Sequence, residues 1–215
     1  MPKFPEPPAD LAARLPPRLR RLPAGTELWR VYFRGGRHPG VWNGWRAFGP
    51  VAGARFDHHE PPPRPQARAI LYAAADGVTC LAEVFQAARL IDATAHQPWL
   101  VGFALAAELT LLDLTGTWPT AAGASMAINS GPRPRARRWS RAIYAAYPAV
   151  QGLWYPSSMH ANRPSAALYE RARPAIAAAP FFHRALDDPL LTDLLAWAAE
   201  ALGYGLTIGR HGGSS

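Results

Sequence analysis

Apolar positions along the chain follow two periods, and each period predicts elements. Leu28-Trp29-Arg30-Val31-Tyr32-Phe33, rich in β-branched and aromatic residues and closed by Gly35-Gly36, reads as a strand. Ala69-Ile70-Leu71-Tyr72-Ala73 reads as a buried strand, with a turn over 74–77. From Val78 to Leu90 the apolar residues Leu81, Val84, Phe85 and Ala88 fall at helical spacing. The stretch 99–114 has the alanines and leucines of a helix, but Gly102 and the segment Leu109-Thr110-Leu111-Leu112-Asp113 divide it into two strands. Arg135 to Tyr147 reads as a helix stopped by Pro148, and 152–157 and 166–169 as two further strands. Leu190 to Leu202 is the clearest amphipathic helix, with Gly203 placed to cap it. Gly49 to Glu60, ending in Pro61-Pro62-Pro63, reads as a loop or irregular hairpin. Residues 1–25, rich in proline and arginine, read as an extended lead-in with one helical turn around Asp10 to Arg14. No repeat or linker divides the remainder, so 26–210 is expected to form a single domain.

Composition narrows the class. With 215 residues, 49% of them apolar and 18% charged, the chain can bury a sizeable core and is not disordered throughout. No apolar run approaches the ~20 residues that span a bilayer, and the start Met1-Pro2-Lys3-Phe4 lacks the layout of a secretory signal. Cys80 is the one cysteine, which excludes an internal disulfide and a cysteine-based zinc cluster. A cytoplasmic protein without membrane attachment is the expectation. The net charge is +8, and Lys3 is the one lysine among 23 basic residues. Arginine suits fork-like pairing with phosphate and carboxylate, so nucleic acid, a phosphate-rich small molecule and an acidic protein are all compatible partners.

The chain has no phosphate-binding G-x-x-x-x-G-K-[ST], no G-x-G-x-x-G opening a helix, no H-E-x-x-H and no G-x-S-x-G. His58 and His59 are adjacent and cannot both face one metal from a regular element, so they are read as loop histidines and no metal site is expected. Cys80, beside apolar residues on a helix, is read as a packed thiol. The arginines of 133–141 cluster around Trp139 and could meet a phosphate backbone, but no nucleic-acid fold signature accompanies them. Direct nucleic-acid binding is therefore not the expectation, and docking of an acidic partner fits the segment better.

Four pieces, in order, resemble the RES domain, the toxin of a bacterial toxin–antitoxin system. Leu28-Trp29-Arg30-Val31-Tyr32 resembles its opening strand with the first arginine. Phe48 to Asp57, with Gly49, Gly53 and Arg55, resembles the glycine-rich segment, although Phe56-Asp57 stands where the family has Trp-Asn and the stretch from Arg55 to Tyr72 is longer and proline-rich. Ile70 to Val84 resembles the strand–turn–helix in which a strand tyrosine, Tyr72, precedes the helix glutamate, Glu83. Gly152-Leu153-Trp154-Tyr155-Pro156-Ser157-Ser158 resembles the strand bearing the serine, and Ala166-Ala167-Leu168-Tyr169 the strand after it.

The resemblance implies an α+β fold with a mixed β-sheet core and flanking helices, similar to ADP-ribosyltransferases. It implies NAD as substrate, with no separate cofactor, and an Xre-like antitoxin as partner; a homo-oligomer is compatible with it. The implied activity is a toxin that cleaves the nicotinamide–ribose bond by hydrolysis or phosphorolysis and depletes NAD. Transfer of ADP-ribose to a protein is the alternative within the fold, and a non-enzymatic arginine-rich binding protein the alternative outside it. Glu83, Arg30 and Ser157 are the implied catalytic residues, and Arg30, Arg55, Tyr72 and Ser157 the implied NAD-binding residues. Arginine forks suit a pyrophosphate, and a fixed carboxylate suits the oxocarbenium charge that develops on the ribose. Other readings stay open: an Arg30–Glu83 ion pair closing the core, a solvated Glu83, a core Tyr72, a solvent-facing Arg55, Ser158 in place of Ser157, and a domain that binds NAD without turning it over.

Overall fold

The computed structural model describes residues 3–209; the Met1-Pro2 start and position 210, where the single-domain reading ends, lie outside the described residues. In chain order the elements are α1 (Leu11–Arg14), β1 (Leu19–Leu22), β2 (Glu27–Phe33), β3 (Arg46–Gly49), β4 (Arg64–Ala74), α2 (Gly77–Val84), β5 (Leu90–Asp92), β6 (Pro98–Ala104), β7 (Leu109–Asp113), α3 (Trp118–Ala121), α4 (Ala127–Ser130), α5 (Arg133–Ala146), β8 (Gly152–Pro156), β9 (Pro164–Tyr169), β10 (Phe182–Ala185), α6 (Thr192–Leu202) and β11 (Gly205–Thr207). The main sheet runs β1-β7-β8-β9-β4-β2-β6-β10, with β3 added beside β4, and a small second sheet pairs β11 with β5. This is the mixed-sheet α+β architecture that the resemblance implies.

Every pairing in the main sheet is antiparallel except β7 with β8. A parallel neighbour needs a crossover, and α3, α4 and α5 supply it between those two strands. The period-two alternation of β4 sorts its side chains between two cores: Ile70 and Tyr72 join the layer with Trp118, Trp139 and Ile143. Leu71 and Ala73 join the opposite layer with Leu28, Phe103 and Leu111. A third cluster packs Leu81 of α2 against Leu195 and Ala198 of α6.

The lead-in is part of this packing. Its helical turn is α1, but Leu19–Leu22 adds an edge strand that pairs with β7 through Leu19↔Leu112 to Leu22↔Leu109. Phe4 and Leu11 are buried. Proline-rich backbone has carbonyls to spare, and the buried aromatic donors use them. Trp139 Nε1 donates to the carbonyl of Pro5 at 2.9 Å, Trp118 Nε1 to that of Pro16 at 3.2 Å, and the Tyr147 hydroxyl to that of Leu15 at 2.7 Å.

The helix read over 78–90 stops at Val84. Gln86 Nε2 donates to the carbonyl of Glu83 at 2.6 Å, satisfying one freed helix-end acceptor, and Arg89 turns the chain with φ 49°. The next residues then leave as β5 to meet β11 in parallel register. Gly203, at φ 65°, caps α6 in the left-handed conformation.

Candidate active site

The cavity begins as a split in the sheet. β2 and β4 pair only at Trp29↔Ala74, whereas β2 and β6 pair along seven positions. Beyond that point the two strands diverge, and Arg30 and Val31 on one side face Tyr72 and Ala73 on the other across a cavity of about 320 Å³. β4 leads directly into α2, whose first turn is fixed by Asp76 accepting from the Thr79 amide at 2.7 Å. Burial of Thr79, Cys80, Leu81 and Ala82, a full turn, seats this helix in the core, which places Glu83 at the cavity wall.

Glu83 is the one carboxylate on that wall among the described residues and shares it with four arginines: Arg30, Arg46, Arg55 and Arg133. Among the described residues Glu83 forms no ion pair, so the core-closing Arg30–Glu83 bridge is not formed. Its carboxylate instead accepts from the hydroxyl of Ser157 at 2.5 Å. Ser157, fully buried at the end of β8, also accepts from the amides of Met159 and His160 at 3.1 and 3.2 Å. One donor and two acceptor positions are thus filled. Ser158 is exposed on the cavity wall. Ser157 holds the carboxylate from behind, and Ser158 faces the space.

Each arginine is held by a different part of the chain. Arg30 Nη1 donates to the carbonyls of Trp42 and Gly44, both at 3.0 Å, while its Nε is enclosed without a partner. Burial without an acidic neighbour lowers its pKa to about 10, which leaves it charged at neutral pH. Arg55 Nη1 donates to the carbonyl of Gly131 at 2.5 Å, and burial and the neighbouring Arg133 cation lower its pKa. Arg133 starts α5 and reaches Gln86 Oε1 at 3.2 Å.

Arg46, on β3, pairs with Asp57 at 3.0 Å, and Asp57 also bonds the His59 ring. Burial opposes ionisation of Asp57, but the His59 hydrogen bond, the Val51 amide and the Arg46 cation outweigh it and hold the carboxyl far below the usual range. Asp57 therefore anchors a cavity arginine from outside the cavity. Phe56, fully buried, packs its ring at a tilt against Tyr155, with centroids 4.7 Å apart. The departure Phe56-Asp57 builds the wall's support, and neither side chain lines the cavity.

Tyr72 lines the cavity with a hydroxyl that has no hydrogen-bond partner, and burial raises its pKa far above that of an ordinary phenol. Cys80 is buried and donates to the carbonyl of Trp29 at 2.9 Å; burial pushes its thiol strongly up, in keeping with a packed thiol. His58 and His59 lie in the loop as expected, yet both are fully buried and bonded, His58 to Glu170 and His59 to Asp57. Among the described residues no group of three or more His, Cys, Asp or Glu side chains is placed to hold a metal ion.

The arginine-rich segment is largely spent on the protein itself. Arg135 and Arg138 pair with Glu6 at 3.2 and 2.6 Å. Arg137 donates to the carbonyl of Ala52 at 2.9 Å, and Arg141 lies 3.6 Å from Glu60. These contacts fasten the lead-in and the glycine-rich loop to α5, and only Arg133 of the segment reaches the cavity wall. Sequence reasoning brought Arg30, Arg55, Tyr72 and Glu83 to this cavity but missed Arg46, Asn129, Arg133 and Tyr155. Arg46 carried a faint signal, a short Arg-Ala-Phe-Gly strand before the glycine loop, while Asn129 carried none.

Three comparisons bear on this geometry. The RES domain family matches residues 27–191. No curated protein matches the chain. A chain in the crystal structure of the M. tuberculosis MbcT–MbcA toxin–antitoxin complex superposes with a TM-score of 0.50 at 17% sequence identity, covering 76% of this chain and 85% of its own length. Among the described residues no helix is long and apolar enough to cross a membrane.

Proposed function

The chain belongs to the RES domain family, and from that premise we propose that it is a toxin that cleaves the nicotinamide–ribose bond of NAD. The observation that carries this reading is Glu83: a carboxylate without an ion partner among the described residues, oriented by Ser157 on a wall it shares with four arginines. A cavity of about 320 Å³ is at the small end of ligand pockets. It suits the nicotinamide riboside end, with the arginines toward the pyrophosphate and the adenosine outside.

In the reaction the glycosidic C–N bond breaks and its electron pair stays on the nicotinamide nitrogen, which becomes neutral. Positive charge develops on the ribose, and the Glu83 carboxylate stabilises it and holds a ribose hydroxyl. Water then adds to give ADP-ribose and a proton; with phosphate as acceptor the product is the 1-phosphate. Arg30 and Arg55 clamp phosphate oxygens through the guanidinium edges they do not commit to carbonyls, and Tyr72 offers its ring to the nicotinamide. Ser157 acts through Glu83, because its own hydrogen-bonding positions are filled. The solved complex that shares this fold is a toxin–antitoxin complex, which supports an antitoxin as the protein partner. Transfer of ADP-ribose to a protein shares the same bond cleavage and differs in the acceptor.

The test is nicotinamide release from NAD by the purified protein, wild type beside Glu83→Ala, with and without phosphate. Release that is lost in Glu83→Ala is expected, and dependence on phosphate separates phosphorolysis from hydrolysis. Undiminished release by Glu83→Ala, or absence of NAD binding by the folded wild type, overturns the reading.

A further inference from the structure

Several polar atoms of the residues lining the cavity are enclosed without a partner: Arg30 Nε and Arg46 Nη2 can only donate, the Tyr72 hydroxyl can do either, and the amide oxygen of Asn129 can only accept. Asn129, in α4, is 6% exposed. Its Nδ2 donates to the carbonyl of Leu114 at 3.2 Å, which fixes the orientation of the amide. Its Oδ1 is enclosed, has no hydrogen-bond partner, and belongs to a residue that lines the cavity. A buried acceptor left unpaired is costly, and native proteins rarely leave one so. Four arginines share the wall, yet none donates to it; Arg55 Nη1 goes instead to the carbonyl of Gly131, two residues beyond Asn129 in the chain.

We propose that Asn129 Oδ1 is a substrate-reading acceptor that takes a hydrogen bond from a neutral donor on the nicotinamide riboside end, either a carboxamide N–H or a ribose O–H. The assignment rests on the NAD reading above. Its consequence is selectivity. By themselves the arginines would favour a ligand with a further negative charge, such as nicotinic acid adenine dinucleotide, in which a carboxylate replaces the carboxamide. A lone pair fixed at Asn129 disfavours that carboxylate and favours the amide, since acceptor would face acceptor.

Binding titrations with NAD and with the nicotinic acid dinucleotide, on wild type, Asn129→Leu and Asn129→Asp, test it. Leucine removes both the acceptor and the donor to Leu114, whereas aspartate keeps an acceptor and loses that donor. Asn129→Leu is expected to bind NAD about three- to tenfold more weakly, the usual worth of one neutral hydrogen bond, and Asn129→Asp to stay closer to wild type. If the donor is the carboxamide, Asn129→Leu also narrows the preference for NAD over the acid. If it is a ribose hydroxyl, both ligands weaken together. Wild-type affinity for NAD in Asn129→Leu overturns the assignment, as does equal loss in both variants, which would trace the effect to the Leu114 tether. Failure of the folded wild type to bind NAD would instead sink the function on which the assignment rests.

Discussion

Replacing Ser157 by alanine removes a hydroxyl that joins three groups at once. The hydrogen bond to Glu83, at 2.5 Å, is to a charged acceptor, and such bonds contribute about 1.5–3 kcal/mol. The amides of Met159 and His160 lose their acceptor as well, but both residues are half-buried and water can partly replace it. A net destabilisation of about 3 kcal/mol follows, and at about 2–4 °C per kcal/mol for a chain of this size the midpoint falls by about 6–12 °C. The decisive measurement is a double-mutant cycle in chemical denaturation with Ser157→Ala and Glu83→Ala. The pair should couple by about 1.5–3 kcal/mol, because Ser157→Ala has no carboxylate left to abandon once Glu83 is gone. In kinetics Ser157→Ala should lower kcat by about tenfold or more with little change in KM, since a carboxylate released from its partner is misplaced rather than absent. Coupling below about 0.5 kcal/mol would refute the claim that Ser157 holds Glu83, whatever the single variants do.

Acid should unfold the protein through the buried Glu170–His58 pair. Burial opposes it, but hydrogen bonds from His58, Tyr144 and the Ala69 amide bring the Glu170 pKa from 4.5 to about 2. That stabilisation is complete above about pH 4.5 and is lost as the pH falls toward 2. Burial lowers the His58 pKa below its ordinary 6.5, so its contribution also fades on acidification, starting near pH 6.5. Glu170→Gln should be less stable at pH 7 and show a flatter acid limb in thermal melts, and an unchanged slope below pH 4.5 would contradict this. Phe4→Ala should cost about 3 kcal/mol or more, the usual range for a buried ring, because Phe4 is 4% exposed; a change under about 1 kcal/mol would show the lead-in to be an appendage. Gly49→Ala would bring a Cβ within 2.6 Å of the His59 ring and 3.0 Å of Asp57 Oδ2. It should loosen the Asp57 anchor of Arg46, lowering the melting midpoint and weakening NAD binding together, and a variant that does neither refutes that anchor. Arg138→Ala, by contrast, breaks an exposed pair with Glu6 and should cost no more than about 1 kcal/mol in the same melts.

The sequence by itself determined the elements whose side chains carry a strong period. β2, β4, β6, β7, β8, β9, α5 and α6 were legible because long apolar runs or helical stripes have few other ways to leave water. It also carried Arg30, Arg55, Tyr72 and Glu83 as members of one site, through the order of motifs that the RES resemblance supplied. Short strands were not legible. β1 (Leu-Arg-Arg-Leu) and β10 (Phe-His-Arg-Ala) are polar edge segments, and what makes them strands is the free edge of β7 or β6 that each meets. β5 likewise exists through β11, more than a hundred residues away in the chain, and its pull ended α2 earlier than periodicity suggested. Tertiary structure alone decided the cavity. The split between β2 and β4, the anchoring of Arg46 by Asp57, the placing of Ser157 behind Glu83 and the unpaired Asn129 oxygen all depend on groups far apart in the chain. Local periodicity records which face of a segment is dry, and it holds no information about which distant segment will lie against that face.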